Sequence, residues 1–161
     1  LLSPGNAVWH LRRGEARHSL REFDRAISDY SEAIRLRPGL SEAWRKRGLS
    51  HLFERRPDAA IADCTEAIRL HPKNAEAYHY RGLAWESQGR TDEAIADYGE
   101  VIRIEPGRVE GYVNRAGARL LAKDWAGAVA DYEKALRIAP PDWPDRKALE
   151  QSLRTAREKV K

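Results

Sequence analysis

The chain has 161 residues, 42% hydrophobic and 34% charged, with a net charge of +4, one cysteine and no methionine. That is one-domain size with enough apolar content for a core; no apolar run approaches the roughly 20 residues of a membrane helix, and the opening residues do not read as a signal peptide. A single cysteine excludes an internal disulfide, and the lack of Met leads us to expect a processed or excised piece of something longer, with the cytoplasm as the default home.

In chain order, residues 1–6 read as a lead-in that frays. From Ala7 the sequence is written in units: Pro38, Pro72, Pro106 and Pro140 stand 34 residues apart, defining 7–40, 41–74, 75–108 and 109–142. A period of this length signals stacked repeats. "RGLSHLFERRPDAAIADCTEAIRLHP" from Arg47 and "RGLAWESQGRTDEAIADYGEVIRIEP" from Arg81 are near copies. Each unit is predicted to hold two helices, over positions 1–14 and 17–31, hence 7–20 and 23–37 in the first unit and so on along the chain. The second helix of unit three illustrates the signal, with Ala94, Ile95, Tyr98, Val101 and Ile102 at offsets 0, 1, 4, 7 and 8, one helical stripe. "RRPD" and "SQGRT" punctuate the turns, Pro57 suits a first helical turn, and Asp24, Asp58 and Asp92 lie near helix starts that favour negative charge. Residues 143–161 close the chain with a predicted capping helix whose apolar stripe is Leu149, Leu153, Ala156 and Val160.

Columns fall into line when the units are aligned. Position 8 reads Gly14, Gly48, Gly82, Ala116; position 20 reads Ala26, Ala60, Ala94, Ala128; position 27 reads Ala33, Ala67, Val101, Ala135. Large residues occupy position 4 (His10, Trp44, Tyr78, Tyr112) and position 24 (Tyr30, Cys64, Tyr98, Tyr132). Small residues let two helices approach closely and the large ones fill the space left, which predicts a helical hairpin with one buried seam. A hairpin cannot bury its apolar face alone, so copies stack.

This pattern of aromatic, glycine, alanine and proline columns resembles the tetratricopeptide repeat over Ala7 to Asp142. It departs at position 7, where Arg13, Arg47, Arg81 and Arg115 stand in place of the frequent Leu, and at position 11, with Arg17, His51, Trp85 and Arg119. The resemblance implies an all-α, right-handed α-solenoid of four helix-turn-helix repeats plus a capping helix. The wording "ADY" leans toward bacterial members.

No chemistry of catalysis is legible. Phosphate-cradling loops are absent, and His10, His18, His51, His71 and His79 include no pair at the spacing of a helical zinc site, so neither metal, cofactor nor enzyme activity is expected. Cys64 stands in a core column rather than a reactive one. The arginines at position 7 are expected to pair with Asp29, Asp63, Asp97 and Asp131 at position 23, setting register more than net stability. Glu32 with Arg35, Glu66 with Arg69 and Glu100 with Arg103 read as a solvated outer face. By unit and cap the net charge runs +2, +2, −3, 0, +3, so the acidic third unit breaks the basic track that a nucleic-acid binder shows.

The resemblance also implies that first helices line a concave face. There, Arg12, Arg45, Lys46, His79, Tyr80 and Asn114 offer cationic or hydrogen-bonding groups for a peptide or protein carrying acidic or carboxylate groups, and Leu49, Leu52 and Phe53 offer an apolar anchor, with Leu83 alongside. The clamp that grips chaperone tails in some members is not supported: one register gives Leu11, Glu15, Lys46, Glu76 and Tyr80, the other Arg45, Leu49, Tyr80, Glu110 and Asn114. The expected function is a non-catalytic interaction scaffold binding a peptide in the groove, monomeric, with no nucleic-acid or membrane partner. The alternative is a self-association or assembly module within a larger solenoid.

Overall fold

The computed structural model describes residues 6–160 and contains nine helices and no strand among them. They are α1 (Ala7–Ser19), α2 (Phe23–Leu36), α3 (Ser41–Phe53), α4 (Pro57–Leu70), α5 (Ala75–Ser87), α6 (Thr91–Ile104), α7 (Val109–Leu121), α8 (Trp125–Ile138) and α9 (Arg146–Val160). Most of the predicted lead-in, residues 1–5, lies outside the described residues. Asn6 is not frayed: its side chain accepts the Val8 amide at 2.9 Å and caps α1.

The first helices stop one position earlier than the apolar pattern suggests, for a backbone reason. At position 15 the chain enters the left-handed region in every unit, at Arg21, Arg55, Gly89 and Lys123. Around Arg21 the amides of Arg21 and Glu22 donate to the carbonyls of His18 and Arg17, both at 2.9 Å, closing the helix end in a Schellman pattern. Only the third unit places glycine where the geometry favours it.

The hairpin seam is as tight as the columns imply. A methyl built on Gly14 would stand 2.6 Å from the Tyr30 ring, on Gly48 2.8 Å from the Cys64 sulfur, and on Gly82 2.7 Å from the Tyr98 ring. The alanines at position 20 and the Ala33, Ala67, Val101 and Ala135 column are fully buried. Burial pushes the Cys64 thiol up to about 12, which leaves it an uncharged core group.

Between units, each second helix packs on the next first helix, α2 on α3, α4 on α5, α6 on α7, while α1 touches α3 and α3 touches α5. First helices therefore form the inner layer of an all-α solenoid. Position 3 shows how close the units come: Ala43 and Ala77 are fully buried, and a methyl on Gly111 would lie 3.1 Å from Val101 Cγ1. In the first unit this position holds Trp9, whose ring carries the Arg13 guanidinium 4.0 Å from its centre. Trp9 is thus the one bulky side chain at this position.

The expected arginine–aspartate ladder forms within units: Arg13 on Asp29 at 2.5 Å, and Arg47 on Asp63, Arg81 on Asp97 and Arg115 on Asp131 at 2.7 Å each. It also reaches across units. Arg47 donates to the Ser31 hydroxyl at 2.9 Å and Arg81 to that of Thr65 at 3.1 Å. Position 11 joins in at both ends, with Arg17 on Asp29 at 2.8 Å and Arg119 on Asp131 at 2.7 Å.

At the far end Leu149, Leu153 and Ala156 are buried in a cluster with Tyr112, Tyr132 and Ala135. The predicted stripe ends there: Val160 is 53% exposed, because the last turn of α9 runs past the surface it covers. Arg146 bonds the carbonyls of Leu136 and Ala139, and Arg157 meets Glu133 at 2.9 Å, fixing α9 to the end of the stack.

Candidate peptide-binding face

The inner layer offers α1, α3, α5 and α7, and its cations are held by carboxylates of the same layer. Arg45 extends from α3 to Glu76 on α5 at 3.0 Å; its side chain is 13% exposed, that of Glu76 48%. Lys46 meets Glu15 at 2.8 Å and Glu42 at 3.8 Å, and Arg12, mostly exposed, meets Glu15 at 2.8 Å. Partial burial works against a charge on Glu15, but its bonds to Lys46 and Arg12 outweigh that and hold the carboxyl below its usual range.

Tyr80 sits beside Arg45, its hydroxyl pushed up by burial and by Glu76. His79 is joined to Asn114 on α7 by a 2.8 Å bond between Nε2 and the amide nitrogen, tying the third unit to the fourth. Burial, with Arg108 nearby, holds the His79 imidazole below its ordinary range. Arg45, Tyr80 and Glu76 thus come together, as do His79 and Asn114.

The apolar trio lies along α3 and meets different surroundings. Leu49 lines a small cavity of about 130 Å³ with Glu15, His18, Ser19, Tyr30 and Lys46. Leu52 faces a different cavity with Arg55, Pro57 and Ser87. Phe53, 54% exposed, stacks on Phe23 with centroids 4.7 Å apart and meets His18 edge-on, at the rim where first helices end. Leu83 packs on the Ala94, Tyr98 and Ala118 cluster and contributes to the interior. Positions 12 and 13 lie three and four residues after position 9 and share one face of α3 with it, Leu49 and Phe53 both directed to the side of His18 and Leu52 toward the next repeat.

The acids of this face, placed there by the sequence without a role, turn out to organise its cations. Glu42 and Glu76 at position 2, with Glu15, set the charge of this face, and Glu42, Arg45, Glu76 and Glu105 border an open cavity of about 320 Å³ with Ser41, His71, Lys73 and Asn74. The recurring glutamate at position 2 was the available signal. Among the described residues no group of three or more His, Cys, Asp or Glu could hold a metal ion, and no helix is long and apolar enough to cross a membrane.

Tetratricopeptide repeat models match residues 45–109, 88–142 and 10–39. The chain belongs to the tetratricopeptide repeat family. No curated relative matches the sequence. Among solved structures, the repeats are similar to a MamA protein (28% identity, 84% of this chain and 74% of that one, TM-score 0.80). They also resemble the TPR domain of Arabidopsis OM64 (29% identity, 71% and 94% covered, TM-score 0.70). The first TPR of Spaghetti (RPAP3), solved with the HSP90 peptide SRMEEVD, shares the fold at 22% identity and TM-score 0.69, over 78% of this chain and 97% of that one. Tetratricopeptide repeats of this kind support a protein-interaction scaffold.

Proposed function

We propose that the chain binds an extended protein segment along the inner layer, without catalysis, and that a carboxylate of that segment is taken by Arg45. The carrying observation is the asymmetry of the Arg45–Glu76 pair: the guanidinium is held nearly buried, whereas its partner is half exposed at the edge of an open cavity. Glu76 is the half-exposed partner, so its carboxylate can turn to water while a ligand carboxylate takes its place and Arg45 is never left unpaired. Arg45 then offers it a preorganised, charge-assisted site, with the Tyr80 hydroxyl adjacent. Spaghetti's acidic peptide is consistent in chemistry, although this chain holds different residues at the clamp positions.

The test is selection from a displayed random-peptide library, followed by binding measurements on the native chain and on an Arg45→Glu, Lys46→Glu, Tyr80→Ala variant of matched helicity. Selected peptides should carry an Asp, Glu or free carboxyl terminus and bind the variant at least about tenfold more weakly. Equal affinity for both proteins rejects the inner layer as the site.

A second reading, self-association, has one observation in its favour: Leu20, Phe53 and Leu121, at the ends of first helices, are 71%, 54% and 64% exposed. Sedimentation over a hundredfold or so in concentration separates the two. A monomer throughout removes it.

A further inference from the structure

A cavity of about 290 Å³ opens between α7 and the capping helix α9, lined by Glu110, Val113, Asn114, Trp143, Asp145, Ala148, Leu149 and Ser152. Its apolar lining is Val113, Trp143, Ala148 and Leu149. Its rim has two carboxylates and, unlike the cavities at Arg45 and Lys46, no cation among the lining residues. Arg108 approaches Glu110 only to 3.8 Å and is engaged with Glu105 at 3.0 Å. Asp145 directly precedes α9, where its charge offsets the helix dipole, so Glu110 is the carboxylate best able to take a ligand.

One further acceptor faces the same cavity. Asn114 uses its amide nitrogen on His79, leaving its carbonyl oxygen. Ser152 donates its hydroxyl to the Ala148 carbonyl at 3.0 Å and is also engaged by the Tyr132 side chain, so it lines the cavity without a free acceptor. Arginine and lysine are the permanently cationic side chains, with donors and no acceptor, that match the rim carboxylates. Of these, arginine has the planar guanidinium that stacks on an indole and an aliphatic stem that covers apolar surface.

We infer that this cavity is a subsite for an arginine side chain of the bound segment, its stem over Val113 and Leu149, its guanidinium against Trp143 and Glu110. The inference rests on the inner-layer reading for the identity of the segment, but the subsite can be probed alone. A segment spanning both sites would carry its acidic group at the second and third repeats and its arginine toward the cap.

The experiment is a nitrogen–proton NMR titration of the native chain with N-acetyl-arginine N-methylamide, the neutral near-isostere N-acetyl-citrulline N-methylamide, and N-acetyl-glutamate N-methylamide. The arginine probe should shift the Trp143 indole and the Val113 and Ser152 amides saturably, at least about fivefold more tightly than citrulline, and weaken as salt rises. Glu110→Gln, which leaves α9 untouched, should bring arginine down to the citrulline level; Asp145→Asn should have a smaller effect. Equal response to arginine and citrulline, preference for glutamate, shifts elsewhere, or no response overturns the subsite. None of these outcomes depends on the Arg45 variant, so the inner-layer reading and the subsite fail separately.

Discussion

Asp63 is nearly buried and receives two hydrogen bonds from Arg47, each 2.7 Å, while the same guanidinium reaches Ser31 of the preceding repeat. Removing one partner of such a pair strands the other charge, which costs about 3–5 kcal/mol, whereas replacing both by apolar groups of similar volume is often neutral. Arg47→Ala should therefore lower the unfolding free energy by about 3 kcal/mol in urea denaturation, and an Arg47→Met, Asp63→Leu double variant should recover most of it. If the double variant is as unstable as the single one, the pair contributes directly to stability rather than to register. The ladder was legible because residues 16 apart recur in four copies. The inner-layer ion pairs were not: Arg45 with Glu76 and Lys46 with Glu15 join different units, and their geometry depends on how far one first helix stands from the next, which no local pattern states.

At the scale of the element, helices and their seam follow from spacing, since glycine at position 8 faces an aromatic ring or Cys64 at position 24 in three units. The turn between helices was read as polar punctuation, and its actual requirement is one left-handed residue. Arg21, Arg55 and Lys123 meet that requirement despite carrying a Cβ, at φ of 62°, 56° and 62°. A long polar side chain in the sequence gives no hint of positive φ, which is why this feature stayed hidden. Arg55→Gly should stabilise the chain by about 1 kcal/mol and Gly89→Ala should destabilise it by a similar amount, measured by thermal unfolding. Arg55 is exposed, so its side chain gives up little on replacement. A stabilising Gly89→Ala would contradict the backbone account.

For the whole molecule, acid sensitivity is spread over three repeats. His18, His51 and His79 are all held below the ordinary imidazole range, chiefly by burial, with Lys46 adding at His18 and Arg108 at His79; at His51, Asp63 opposes the shift without overcoming it. In the unfolded chain these rings titrate near about 6.5, so the unfolded state binds more protons as the pH drops through that value. The stability they contribute is complete above it and declines below. Melting temperature should fall between about pH 7.5 and about pH 5.5, and a His18→Gln, His51→Gln, His79→Gln variant should show a flatter profile over that window. An unchanged slope in the variant would place the acid response elsewhere.

Arrays of identical modules have no inherent length, since any copy can seat another. Here seating depends on one small side chain per unit. Wherever a unit is followed onto, the receiving helix shows alanine or glycine at its third position, and Trp9 is the one bulky substitute. Splicing an extra hairpin ahead of α1 in the same register would drive that hairpin into the ring and dislodge the arginine resting on it. A chimera that grows this end must first carry Trp9→Ala, and Arg13 would then stand as Arg47 and Arg81 do, within reach of a hydroxyl supplied by the added hairpin.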